Sequence, residues 1–320
     1  MTAALLSVIV SSAAFASATI AIRLCVRPLQ RAALSGARGR VRPDDLLVLR
    51  FAPVLIASVV VSLLILPAFL LFEPRGRTET AGLPILGLAA LGAALVVTAL
   101  WRAAQALRAT RMLTREWLGR ARPLVRPGLK VPAFVVDIPY PLVAATGIIR
   151  QQLFVSECVL RVCGEAELDA IFAHEAGHVA ALDNLRRLLL RACPDTLRGS
   201  GTERALERAW SAAAEEAADA FALDRGVDAV DLAASLVAVA RAGPPPALAA
   251  IASAFLEEDD VERRVRRALG QPLPGRAPFW VPLVRPAAAI LVLAVIALAV
   301  IPGSLARIHQ LVELGVGFLR

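Results

Sequence analysis

Several residue types that water-soluble enzymes use freely are almost missing from this chain. Of 320 residues only three are histidine, two methionine and one tyrosine, and charged residues make up 19%. Lys130 is the sole lysine, and every other basic side chain is arginine; this excludes the lysine-rich arm of a nucleic-acid binder. The four cysteines, Cys25, Cys158, Cys163 and Cys193, form no C-x-x-C pair. With the segment that carries most of them expected in the reducing cytosol, disulfides are not expected, and the cysteines read as small buried apolar residues.

Apolar residues fill the space instead. They make up 58% of the chain, with a mean hydropathy of +0.65, too high for an ordinary soluble domain. They also cluster. Four runs, near Ala3–Ile22, Phe51–Phe72, Gly82–Leu100 and Val281–Ile301, have the roughly 20 helical residues needed to cross about 30 Å of hydrocarbon. The first run has no positive charge before it and Arg23, Arg27 and Arg31 after it, the reverse of a signal peptide, so it reads as a retained anchor. Arg285 interrupts the last run near one end, where its head can reach the interface beside Phe279 and Trp280.

Six arginines lie between Arg23 and Asp45, and Arg102, Arg108, Arg111, Arg115, Arg120, Arg122 and Arg126 follow the third run, whereas the loop near Glu73–Ala81 has only Arg75 and Arg77. By the positive-inside rule the first loop and the large central segment face the cytosol. The net charge of +8 then reflects topology and anionic headgroups, and no nucleic-acid partner is expected.

Two of the three histidines sit in His174-Glu175-Ala176-Gly177-His178. Four residues apart on a helix, both imidazoles lie on one face and can reach one zinc ion, with Glu175 beside them. Two imidazoles and a carboxylate leave a fourth position for a water of lowered pKa, which Glu175 can deprotonate as general base for attack on a peptide carbonyl. A third ligand must come from elsewhere. Glu215 and Asp219 are again four apart, so Glu215 can bind zinc while Asp219 holds the free ring nitrogen of a ligating histidine. Glu216 competes with Glu215 but has no acidic partner four residues on. Cys193 has no orienting partner at helical spacing, and His309, beyond the last apolar run, belongs to the far membrane surface.

Together, Ala173–His178, Asp183-Asn184-Leu185-Arg186-Arg187 and Glu215–Asp219 resemble the membrane-embedded gluzincin metallopeptidases over about Val131–Leu269. The Asp-Asn-Leu-Arg-Arg tail is most similar to the beta-lactam sensor and antirepressor family (BlaR and MecR type). The Glu-x-x-x-Asp-Ala-Phe-Ala stretch is also similar to HtpX-type and CAAX-prenyl-type proteases. The resemblance implies zinc at His174, His178 and Glu215, a catalytic Glu175, and a sheet edge that holds the substrate peptide, supplied by one of Val131–Asp137 and Gln152–Ser156, with ordinary core strands an equal reading of these runs. About eighteen residues follow the last span, too few for that family's external sensor, so beta-lactam sensing is not expected. Asp183, nine residues beyond His174, would face away from the metal on a continuous helix, so capping or packing is its expected use. The run Glu257–Arg267 reads most simply as a solvated amphipathic helix near the membrane, although the resemblance implies an arginine segment here that can contact the site, with no catalytic role assigned; Tyr140 and several arginines are candidates for stabilising an oxyanion.

The expected architecture is a mainly α, polytopic membrane protein of about four transmembrane helices. Residues 1–101 form a three-span membrane region, 102–278 a cytosolic α+β zinc-metallopeptidase domain with a small sheet, and 279–320 a last span and short tail. It is expected in a bacterial inner (cytoplasmic) membrane, with a protein or peptide substrate such as a transcriptional repressor. The other readings are an HtpX-like quality-control protease and a catalytically silent membrane scaffold.

Overall fold

The computed structural model describes residues 3–36, 41–73, 81–126, 129–194, 201–243, 258–271 and 278–318. Ser-, Ala- and Leu-rich sequence gives long helices where the apolar runs lie: α1 (Ala3–Gly36), α2 (Pro43–Val60), α3 (Leu66–Phe72) and α4 (Leu83–Leu118), with α11 (Val284–Val300) near the C-terminus. Four helical stretches are long and apolar enough to cross a membrane: Ala4–Ser35, Pro43–Phe72, Leu83–Leu118 and Val281–Val300. α2 passes into α3 through a π-helical segment, Val61–Ile65. Pro67 lacks an amide hydrogen and its ring crowds the preceding turn, which favours such a widening. Residue 101 lies inside α4, so the third span and the arginine-rich segment after it are one helix of about 54 Å at 1.5 Å per residue. Of the residues used above, Arg38, Arg40, Arg75, Arg77 and Glu257 lie outside the described set.

α1 and α4 touch backbone to backbone. A Cβ at Gly92 would lie 2.1 Å from the Ser12 carbonyl oxygen, and Ser12 Oγ donates to the Ala89 carbonyl at 2.8 Å. Small residues and an interhelical hydrogen bond hold membrane helices where lipid supplies no hydrophobic drive.

The central segment forms a four-stranded sheet in the order β1-β2-β4-β3, from β1 (Ala121–Leu124), β2 (Ala133–Val136), β3 (Val143–Thr146) and β4 (Gln152–Ser156). β2 and β4 are parallel, and the outer pairs are antiparallel. The period of two along β4 sorts its side chains. Leu153 and Val155 pack under Leu168, Ile171 and Phe172, whereas Phe154 turns to Trp117, Val136 and Ile138. Both runs are therefore inner strands, which is the core-strand reading, and neither is the sheet edge that the resemblance implied for one of them. The edges are β1 and β3, whose Arg-Pro and Ala-Ala cores carry little strand propensity.

Helices α5 (Glu157–Val162), α6 (Glu165–Ala180), α7 (Asp183–Ala192), α8 (Thr202–Asp224), α9 (Ala229–Ala242) and α10 (Glu258–Ala268) follow the sheet. α8 is anchored to the apolar helices. Leu206, Trp210 and Ala214 share a core with Leu46 and Leu49 of α2 and Ala33 of α1. Two buried arginines reinforce the join: Arg23 of α1 reaches Glu203 at 3.3 Å and the Pro194 carbonyl at 2.9 Å, and Arg50 of α2 reaches the Cys193 carbonyl at 3.3 Å and Glu207 at 3.6 Å. Ala217 and Phe221 of α8 line a recess with Gly177, Ala180 and Pro43. Arg285 does not simply reach outward; its Nε lies 2.8 Å from Asp45 at the start of α2. Cys163 and Cys193 are buried as expected, Cys158 is partly buried, and Cys25 is exposed on α1.

Candidate metal and catalytic site

The site begins with the close approach of α6 and α8. Gly177 makes this possible, because a Cβ there would stand 3.0 Å from Ala218 Cα and 3.3 Å from Phe221 Cβ. At that separation Glu215 reaches both histidines, its Oε2 lying 3.4 Å from His174 Nε2 and its Oε1 3.6 Å from His178 Nε2. The two Nε2 atoms are 3.1 Å apart.

Those three separations carry a chemical meaning. Ligands around a tetrahedral zinc at 2.0–2.1 Å stand about 3.3 Å from one another. Nitrogen, nitrogen and carboxylate oxygen sit at close to that spacing, and each offers a lone pair to a common point. The donor set therefore fits a zinc-type divalent ion.

The other ring nitrogens are held as well. His174 Nδ1 is 2.8 Å from Asp219 Oδ1, and His178 Nδ1 is 2.7 Å from Asp183 Oδ2. Each carboxylate accepts the Nδ1 proton and so fixes the tautomer that presents Nε2 to the metal. Asp219 is where the i, i+4 spacing placed it. Asp183 corrects the expectation from a continuous helix. α6 ends at Ala180, and Leu182 takes a left-handed conformation (φ 56°, ψ 38°) that swings Asp183 back onto His178. The turn is made by a positive φ at a leucine, where a glycine would have announced it in the sequence. Asn184, the next residue, donates to the Ala145 and Gly147 carbonyls at 2.9 Å, tying α7 to edge strand β3. We expect Asp183→Ala to lower zinc affinity about 10- to 100-fold, the usual effect of removing such an orienting carboxylate; competition against a chromophoric chelator measures it.

α10 supplies the site contact that the resemblance implied for its arginine segment and that the residue pattern by itself did not show. It is not a solvated helix. The Arg264 side chain is only 12% exposed, and its Nε and Nη2 each lie 2.8 Å from an Asp219 oxygen, while its Nη1 is 3.3 Å from Glu215 Oε2. Arg263 and Arg267 both pair with Glu216. Glu216 is thus the clamp between α8 and α10, which removes it from the ligand candidates. A signal was present: Glu215, Glu216 and Asp219 have the same 0, 1, 4 spacing as Arg263, Arg264 and Arg267, so two charged stripes could be matched across a helix pair.

Electrostatics follow from these contacts. Burial pushes Asp219 up, but hydrogen bonds from Arg264 and His174 prevail and hold it at about 2. Burial likewise opposes ionisation of Glu215, and the two histidines keep it well below the usual carboxylate range. Burial would lower His178, yet Asp183 and Glu215 raise it to about 10; His174 is raised by Asp219 and Glu215. The pocket is built for positive charge.

Glu175 is half-buried between the two histidines. Among the described residues its carboxylate makes no hydrogen bond or ion pair, and its charge acts on His178. A general base needs those free lone pairs. Tyr140 packs with Trp117 and Phe154 on the far face of the sheet. Of the arginines, Arg264 and Arg187 touch Glu215, and Arg187, at 3.3 Å, is the more exposed. Cys193 is absorbed in the α7–α8 junction against Arg50. His309 lies at the opposite end of the Pro43–Phe72 span, against Phe69 and Phe72, whereas Asp44 at the near end pairs with Arg186 of α7.

No curated protein matches the chain. Residues 143–239, from β3 through most of α9 and including every histidine and carboxylate of the site, match peptidase family M48. The match indicates a metallopeptidase, with a metal cofactor that in this family is typically zinc, in a chain whose four long apolar helices suggest a membrane protein.

Proposed function

We propose that this chain is an integral-membrane zinc endopeptidase, with His174, His178 and Glu215 as ligands and Glu175 as general base, that performs regulatory cleavage of a cytosolic or membrane protein such as a transcriptional repressor. One observation carries the reading: each histidine has a carboxylate on Nδ1 and a common target for Nε2. A zinc ion held there supplies Lewis acidity, lowering the pKa of water and polarising a carbonyl. The rest is the work of the chain. Glu175 takes the proton of the attacking water and returns it to the departing amine. Edge strand β3, tied to α7 through Asn184, receives the substrate backbone by strand addition. Arg187, within reach of Glu215 yet exposed, is placed to meet the developing negative charge.

A silent scaffold has no use for a carboxylate with free lone pairs between two metal-facing imidazoles. The deciding experiment compares cleavage of an unfolded protein by the detergent-purified chain and by its Glu175→Gln form at equal metal content. Equal rates overturn the enzyme reading.

Cytosolic placement of the site in a bacterial inner membrane rests on the arginine counts. It is supported by the Asp44–Arg186 pair, which puts the start of α2 beside the peptidase helices. A reporter fused after Arg126 should behave as cytosolic and one at Thr80 as external. Reversal of both signals would place the site outside and remove cytosolic repressors from its substrates.

A further inference from the structure

The third histidine of the chain lies far from the peptidase site, yet it too stands in a group of metal-binding side chains. After α11 the chain turns at Gly303, where φ is 77°, and α12 (Ser304–Phe318) folds back onto the end of the bundle. Val312 and Val316 of α12 pack with Leu6, Val10, Phe69 and Ile85. His309 lies three residues before Val312 and seven before Val316, and Glu313 three before Val316, so both share that stripe. The face that buries α12 therefore also carries an imidazole and a carboxylate inward.

They meet Glu73, at the C-terminal end of α3. One ligand atom from each of Glu73, His309 and Glu313 lies within 4.8 Å of the other two. The Glu73 and His309 side chains are only 6% and 13% exposed, and His309 Nε2 is 3.9 Å from Glu73 Oε2. That separation is too long for a hydrogen bond and suits two ligands of one ion. The His309 ring stands edge-on to Phe69 at 4.9 Å, which fixes its plane. His309 Nδ1 and Glu313 Oε1 are buried and have no hydrogen-bond partner among the described residues. Leaving a ring nitrogen and a carboxylate oxygen in that state is costly, and a cation removes the cost by accepting both lone pairs.

The geometry points to a second metal site, formed by Glu73, His309 and Glu313, that binds a divalent transition ion of the zinc class and pins α12 to α3 at the end of the bundle opposite the peptidase centre. One imidazole and two carboxylates form a three-ligand set of the kind that leaves a coordination position to water. An open groove along His309, Gln310 and Glu313 gives the ion its route. The site ties the last helix to the membrane region through its own metal, and it stands whether or not the peptidase reading does.

Zinc alone is the probe, titrated into metal-stripped full-length protein in detergent. Wild type should take up two equivalents, and His309→Ala and Glu313→Gln each one fewer. Retention of the remaining equivalent shows that the variants are folded. The complementary chain, His174→Ala with His178→Ala, isolates the second site whatever happens to the first variants; it should bind one equivalent, and zinc should protect α12 from limited proteolysis. Uptake by His309→Ala and Glu313→Gln equal to that of wild type, or no uptake by the His174→Ala, His178→Ala chain, overturns the proposal. A cluster held together by protons alone gives that result.

Discussion

Glu175→Gln is expected to slow peptide-bond cleavage by about a hundredfold to ten-thousandfold, the range lost with a positioned general base, while leaving metal content unchanged. The amide keeps the shape of the side chain. It has lost the lone pair that takes a proton, and no other residue near the histidines can replace it. Asp183 and Asp219 are already committed to His178 and His174, and Glu215 spans both imidazoles. Glu175 alone has a carboxylate without a hydrogen bond or ion pair there among the described residues, so its loss cannot be shared. Removal of a merely structural carboxylate would show as lower stability or lower zinc content. The assay therefore requires matched membrane levels and matched metal, and then reads substrate cleavage. Matched proteins with identical cleavage would leave the scaffold reading in place.

What the sequence made legible was local. His174, Glu175 and His178 share one turn, and Glu215 and Asp219 another, so helical periodicity alone gave their faces. The four apolar helices were equally plain, because composition over twenty residues decides them. What escaped depended on tertiary geometry. Asp183 needed the left-handed Leu182, a single backbone torsion in a residue with no propensity for it. Arg264 needed α10 to fold over α8, and a run of arginines reads as a solvated face until the buried partners on the other helix are known. The sequence left edge and core strand open for Val131–Asp137 and Gln152–Ser156, for a different reason. β2 and β4 are the hydrophobic strands because they are central, and an edge strand such as β3 is legible chiefly by its lack of such a pattern. His309 was rightly kept apart from the peptidase site, but its neighbours were hidden by more than two hundred residues of intervening chain between it and Glu73.

Substituting alanine for His174, His178 or Glu215 should each remove the zinc of the peptidase centre, a larger loss than the roughly 10- to 100-fold expected at Asp183. The three donors share one point at separations of 3.1, 3.4 and 3.6 Å, and with one missing the remaining pair cannot enclose an ion. Glu216→Ala separates ligand from neighbour. Its carboxylate holds Arg263 and Arg267, so that variant should loosen α10 and keep its zinc. Acid should mimic ligand loss. In the metal-free pocket His178 is raised to about 10, so at neutral pH it carries a proton that zinc must displace. Binding then releases protons, and affinity falls as pH falls. Metal analysis of the variants, with circular dichroism as the folding control, decides the matter. Full zinc retention in folded Glu215→Ala would break the ligand set and with it the assignment of Asp219 as the carboxylate that aims His174.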